Sequence, residues 1–281
     1  MQWGQIKTIF IICFLILDIY LITQVLAKES EPGELFNPET TSIREELEEK
    51  NINIENIPES SKKATYISAS WHSFTEEELQ TIKNQTVMNA GDMIIADFNE
   101  PIVLSEDITV EEVTRKVTEN ILYSDKYVFW GWDEEKNIML FFQQHNGQPI
   151  YYNKGGMLYI QLNEENEMVS YGQTMLEEIT LQSEETDVSK PIEAVEVLLE
   201  NNKIFSGDHI SSMELGYHTF FPFDNGVQVF VPTWKVIVNN NQTHFINAME
   251  GQIISKDEDE FITEIQQSIE KVRSTIGSEE S

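Results

Sequence analysis

The feature that constrains this chain most is its first apolar run. From Ile9 to Ala27 the sequence reads IFIICFLILDIYLITQVLA, 19 residues with one charged side chain, Asp18, at the middle position. As a helix it reaches roughly 28 Å, about the thickness of a bilayer's hydrocarbon core. A carboxylate at the centre of such a span costs roughly 2.5–3.5 kcal/mol on insertion scales. It must be protonated, paired, or turned toward another helix. The residues at three, four or seven positions from it, Phe14, Leu21, Ile22 and Val25, share its face of the helix.

Two readings of this N-terminus compete. Val25-Leu26-Ala27 carries the small residues of a signal-peptidase site. The apolar core of a cleaved signal is shorter, about 7–15 residues, so we favour an uncleaved transmembrane anchor. Lys7 and the α-amine stand against Lys28 alone, which leans toward a cytoplasmic N-terminus and an extracytoplasmic C-terminal body.

Charge then narrows the partners. The chain carries a formal net charge of −31; without Lys7, Asp18 and Lys28, residues 29–281 hold 16 basic and 48 acidic side chains, a charge of −32. Nucleic acid and anionic lipid surfaces are poor partners for such a body. The single cysteine, Cys13, lies inside the apolar run, so the remainder forms no disulfide and no thiolate metal site.

Beyond the run, KESEPGELFNPETTS reads as a linker. Ser42 with Glu45 forms a capping-box pattern ahead of Ile43 and Leu47, and Thr75 with Glu78 forms another. ATYISASW reads as a strand. Thr109 to Leu122 places Val110, Val113, Val117 and Ile121 at helical spacing, and five strands follow: YVFWGW, NIMLFFQQ, PIYYN, MLYIQL and MVSYGQT. A shift of 82 residues aligns Val110 with Ile192, Val113 with Val195 and Val117 with Leu199. It predicts a second helix followed by the strands ISSMELGYHTF, VQVFVPTWKVIV and THFINAM in 210–249, with Asn239-Asn240-Asn241 as a tight turn. The expected organisation is α+β: residues 1–8 a short cytoplasmic N-terminus, 9–27 a transmembrane helix and 28–41 a linker. An N-terminal α+β lobe occupies 42–187 and a similar C-terminal lobe 188–281, ending in a helix whose seam is Ile262, Ile265, Ile269, Val272 and Ile276. That stripe fits packing on the protein's own sheet better than on a partner.

No constellation for catalysis emerges. None of His72, His145, His209, His218 and His244 has the spacing of a helical metal site, and no nucleophile elbow occurs. His218 and His244 fall on strands expected to be close, and a satisfied histidine is the simpler reading of each. Gly155-Gly156 reads as a turn and Asp257 to Glu260 as a solvated helix start. Trp130 and Trp132, two apart on one strand, read as neighbours on one face, in the core or as an interface anchor. These residues give no local support for a catalytic, metal or cofactor site.

The segments KTIFIICFLILD at 7–18 and SFTEEEL at 73–79, with TSIREELEEKNI and ATYISASW between them, resemble the YycI (WalI) family of Gram-positive bacteria with low genomic G+C. Phe245-Ile246-Asn247-Ala248, followed by Gly251 and Ile253, resembles the hairpin end of PepSY-type lobes. The resemblance implies a single-pass protein of the cell membrane that regulates an essential cell-wall two-component system. Its implied partners are the sister protein YycH and the sensor histidine kinase YycG (WalK), met through the transmembrane helix. The expected partner-binding residues are Phe14, Asp18, Leu21, Ile22 and Val25. An exported PepSY-like binding or inhibitory module, merely tethered by the helix, is the alternative.

Overall fold

The computed structural model describes residues 38–55, 57–58, 62–222, 226–255 and 258–279, together with positions 7, 10–11, 13–15, 17–18 and 20–21. The chain divides into Met1–Glu45 and Glu46–Ser281. In the first unit every described position between 7 and 21 is helical. Helix α1 (Pro38–Glu49) crosses the division. It starts at Pro38, so Ser42 lies inside the helix and is not its cap. Proline suits a first turn, where its missing N–H is not needed. Ile43 and Leu47 are both buried, as their spacing predicts.

The second unit is a mixed α+β body dominated by strands. In chain order it runs β1 (Asn53–Ile54), β2 (Lys63–Ala64), β3 (Ile67–Trp71), α2 (Glu76–Leu79), β4 (Gln85–Asn89) and β5 (Ile94–Ile102). Next come α3 (Val110–Asn120), β6 (Tyr127–Asp133), β7 (Ile138–His145), β8 (Gln148–Tyr151), β9 (Met157–Leu162), β10 (Met168–Gln173), β11 (Leu176–Leu181) and β12 (Thr186–Asp187). The chain continues through α4 (Pro191–Glu200), β13 (His209–Pro222), β14 (Val227–Val238), β15 (Gln242–Asn247) and β16 (Ile253–Ile254) to α5 (Glu258–Glu279).

Two sheets organise most of these strands, and β2 and β12 pair apart from both. The first is antiparallel in the order β4-β5-β10-β9-β7-β6. It is apolar on both faces, which the period of two explains. Ile94, Ala96, Met139, Phe141, Leu158 and Ile160 meet Val113, Val117 and Ile121 of the α3 segment on one side. Ile95, Ile138, Leu140, Phe142, Met157 and Tyr159 meet Phe261, Ile262 and Ile265 of α5 on the other. Thr109 caps α3 by accepting the Glu112 N–H, and Val110, in the exposed first turn, stays 50% accessible.

The second sheet is built on β14. One edge of β14 pairs with β13; the other takes β3 at Val227–Phe230 and β15 at Thr233–Val238. Strand β11 extends β3, β16 extends β15, and β1 adds in parallel to β13. Asn239 and Asn240, both at positive φ, make the tight β14–β15 turn, a conformation that asparagine tolerates better than most residues. Strand β8 joins the sheets, antiparallel to β7 and parallel to β13. Gly216 permits the junction: a Cβ there would sit 2.5 Å from the Pro149 carbonyl oxygen and 2.5 Å from the Tyr151 ring.

Several placements differ from the sequence reading. Trp130 and Trp132 do not share a face: a bulge between Phe129 and Gly131 turns Trp130 to the α5 side and Trp132 to the α3 side. The seam of α5 lies on the first sheet, in one cluster with Phe245 of β15 and Ile254 of β16. Helices α3 and α4 are each followed by antiparallel strands, yet the 82-residue shift fails in detail. Ile192 is buried where Val110 is exposed, and Leu198 fills the core in place of Leu199.

Candidate functional site

Two places have the character of a site: the N-terminal helix face and a polar knot in the body. On the helix, Phe14, Asp18 and Leu21 are described, and all are exposed. A rotation of 100° per residue puts them within roughly 60° of arc, one stripe along the helix. Phe14 and Leu21 are 54% and 51% accessible, and Phe10 stacks obliquely on Phe14 at 5.5 Å. Ile22 and Val25, and the signal-peptidase pattern at 25–27, lie outside the described residues. Among the described residues no helix is long and apolar enough to cross a membrane. What the stripe offers is contiguous apolar surface with one carboxylate set in it, a surface suited to another apolar element.

The polar knot was not foreseen. His72, one residue past the end of β3, has Nδ1 2.6 Å from Glu177 Oε2 of β11 and Nε2 2.9 Å from Glu78 Oε1 of α2. Tyr123 donates its hydroxyl to the same Glu78 oxygen at 2.6 Å, while the Thr75 backbone N–H and hydroxyl each donate to Glu78 Oε2 at 2.7 Å. Burial raises the Glu78 pKa, but the bonds from Tyr123 and Thr75, with the charge of His72, outweigh it and bring the group down to about 2. The Tyr123 phenol is pushed up to about 12, first by its bond to Glu78 and then by burial.

Half of this knot is visible in the sequence: Thr75 and Glu78 form the capping box read there. The rest depends on β11, which carries Glu177 across from Ser70 of β3. Chemically the knot is closed. Carboxylates only accept, so both ring nitrogens donate at once only when the imidazole carries both protons. Both ring nitrogens are in any case occupied by Glu177 and Glu78. The knot ties α2, β3, β11 and Tyr123 together.

The other candidates resolve as structure. His218 and His244 sit on β13 and β15, with β14 between them, opposite Val231 and Val236 respectively. Among the described residues no group of three or more His, Cys, Asp or Glu side chains is arranged to hold a metal ion. Gly155 turns beneath the Trp71 ring, where a Cβ would come within 2.8 Å. At the start of α5, Glu258 accepts hydrogen bonds from the Trp130 indole at 3.0 Å and the Tyr152 hydroxyl at 2.7 Å, and Asp259 pairs with Lys136. Arg273 donates to Asp97 at 2.9 Å further along the same helix.

Against known proteins, a family model described as YycI protein matches residues 34–249. No curated protein matches the chain. Among solved structures, an uncharacterized protein from Eubacterium rectale ATCC 33656 is 12% identical with a TM-score of 0.45, over 73% of this chain and 90% of that one. The C-terminal domain of YpeB from Bacillus megaterium is 11% identical with a TM-score of 0.32, over 80% and 100%. YycH from Bacillus subtilis is 12% identical with a TM-score of 0.39, over 75% of this chain and 62% of that one.

Proposed function

The chain belongs to the YycI family, and on that premise we propose that it is a non-catalytic regulator of a cell-wall two-component system. The family match over residues 34–249 is the observation that carries this reading. In the proposal, the helix from Ile9 to Ala27 lies in the cell membrane with its N-terminus in the cytoplasm, and the body stands outside. The stripe of Phe14, Asp18 and Leu21, continued in sequence by Ile22 and Val25, faces the transmembrane helices of a YycG-type sensor kinase. The body works together with a YycH-like sister protein.

The physical argument for the stripe is the carboxylate. Facing lipid, Asp18 costs several kcal/mol; facing protein, it gains an interhelical hydrogen bond of roughly 0.6 kcal/mol on average and about 2 at most. Such a bond changes kinase output only if it differs between the kinase's two states. Replacing Asp18→Leu tests it: kinase output at the target promoters shifts while the amount of exported protein stays the same. Unchanged output would remove Asp18 from the mechanism. Exchange of the whole segment for an unrelated span abolishes regulation under this reading and preserves it if the helix is only a tether. A mature protein beginning at Lys28 would leave no intramembrane route at all.

A further inference from the structure

One cleft in the body is lined by donors that the fold leaves unused. It lies at the edge of β15 where β16 begins, has a volume of about 370 Å³, and is bordered by Lys203 from the segment after α4. His244 lines it, and the Nε2 of that ring is buried without a hydrogen-bond partner. Among the described residues no carboxylate pairs with Lys203, and the Thr243 and Ser255 hydroxyls that complete the rim have no side-chain hydrogen bond. Among the described residues Glu260 is the one carboxylate of the lining. The floor is apolar, formed by Phe245, Ile253 and Ile254.

We propose that this cleft binds a small organic carboxylate, its charged group between Lys203 and His244 and its apolar part on Phe245, Ile253 and Ile254. An ammonium on the rim of a concave surface favours an acceptor-only group, and the buried His244 nitrogen gains a bond to that group once the ring is protonated. The apolar floor favours a short hydrocarbon tail over a bare inorganic anion. Burial, and then the charge of Lys203, lower the pKa of His244, so the empty cleft holds a neutral imidazole. An anion opposite it reverses that balance. Among the described residues Lys203 and Glu260 are the charged groups bordering this histidine, and an anion seated opposite the ring favours its protonated form, so binding takes up a proton at His244 and strengthens as pH falls toward 6.

The test is a titration of the full chain with hexanoate, acetate and inorganic phosphate in separate arms, read by calorimetry and by the imidazole proton resonances of His244. Hexanoate binds saturably with a Kd of roughly 1 mM or tighter, acetate binds more weakly, and affinity rises from pH 8 to pH 6. Lys203→Gln, at an exposed position, weakens binding about tenfold without changing the melting temperature. His244→Asn removes the pH dependence. Absence of a saturable shift at His244, binding unchanged in Lys203→Gln, or phosphate binding as tightly as hexanoate would each overturn the proposal.

Discussion

At the scale of single residues, the knot around Glu78 concentrates the polar energetics of the body. Its carboxylate accepts from Tyr123 and twice from Thr75 and faces His72, so nearly all its acceptor capacity is used. Hydrogen bonds to a charged group contribute about 1.5–3 kcal/mol net. Glu78→Gln keeps the shape but removes the charge and offers donors to neighbours that donate; we expect it to cost roughly 2 kcal/mol in urea unfolding at pH 7. The acid dependence has a fixed sign. A carboxyl held at about 2 in the folded state, against an ordinary value of about 4.3, contributes stability that is complete above the ordinary value. That contribution is lost as pH falls toward 2. The variant should therefore show a flatter loss of stability between pH 4.5 and pH 2.5 than the parent. Equal slopes would remove Glu78 from the acid response.

At the scale of elements, α5 is the clearest test of packing. Phe261, Ile262 and Ile265 are fully buried against the first sheet, and Ile269 presses on Gly172 of β10, whose missing side chain lets the helix close. Phe261→Ala should cost roughly 3–5 kcal/mol and raise hydrogen exchange first in α5 and then in β7. Exchange unchanged in α5 would mean that the helix is held by its end contacts alone. The seam itself was legible, because a heptad stripe marks a buried helix face whatever covers it. Its destination was not, since period says nothing of which sheet receives the stripe. For a related reason β4, β5 and β11 escaped the sequence reading. Ile94-Ile95-Ala96 is apolar on both faces and shows no alternation, β5 runs through Pro101, and Leu176–Leu181 carries two glutamates. Without β11 the partner of His72 could not be placed, whereas the capping box, a local pattern, could. The helix stripe of the proposed membrane contact was likewise legible by spacing, as far as Leu21.

At the scale of the whole body, the two sheets are woven through each other. Only Thr174 and Met175 separate β10 of the first sheet from β11 of the second, and β3 lies in the second sheet although α2 and β4 follow it directly. Neither sheet can open without pulling strands from its neighbour, so the body should unfold in one cooperative step. Gly216 probes this most directly. Its φ is ordinary, and the constraint is space: the nearest atom to an added Cβ is the Pro149 backbone carbonyl, which cannot rotate away. Gly216→Ala must therefore spread β8 from β13, at a cost of about 1–3 kcal/mol or more. If the sheets were independent, the substitution would split the transition, because β8 is the strand that pairs with both β7 and β13. If they are woven as the strand order requires, the midpoint drops while tryptophan fluorescence and far-ultraviolet circular dichroism stay coincident. Both sheets carry reporters, Trp132 in the first and Trp234 in the core of the second, so two separated transitions would be visible and would show that the linkage through β3 and β11 carries little of the cooperativity.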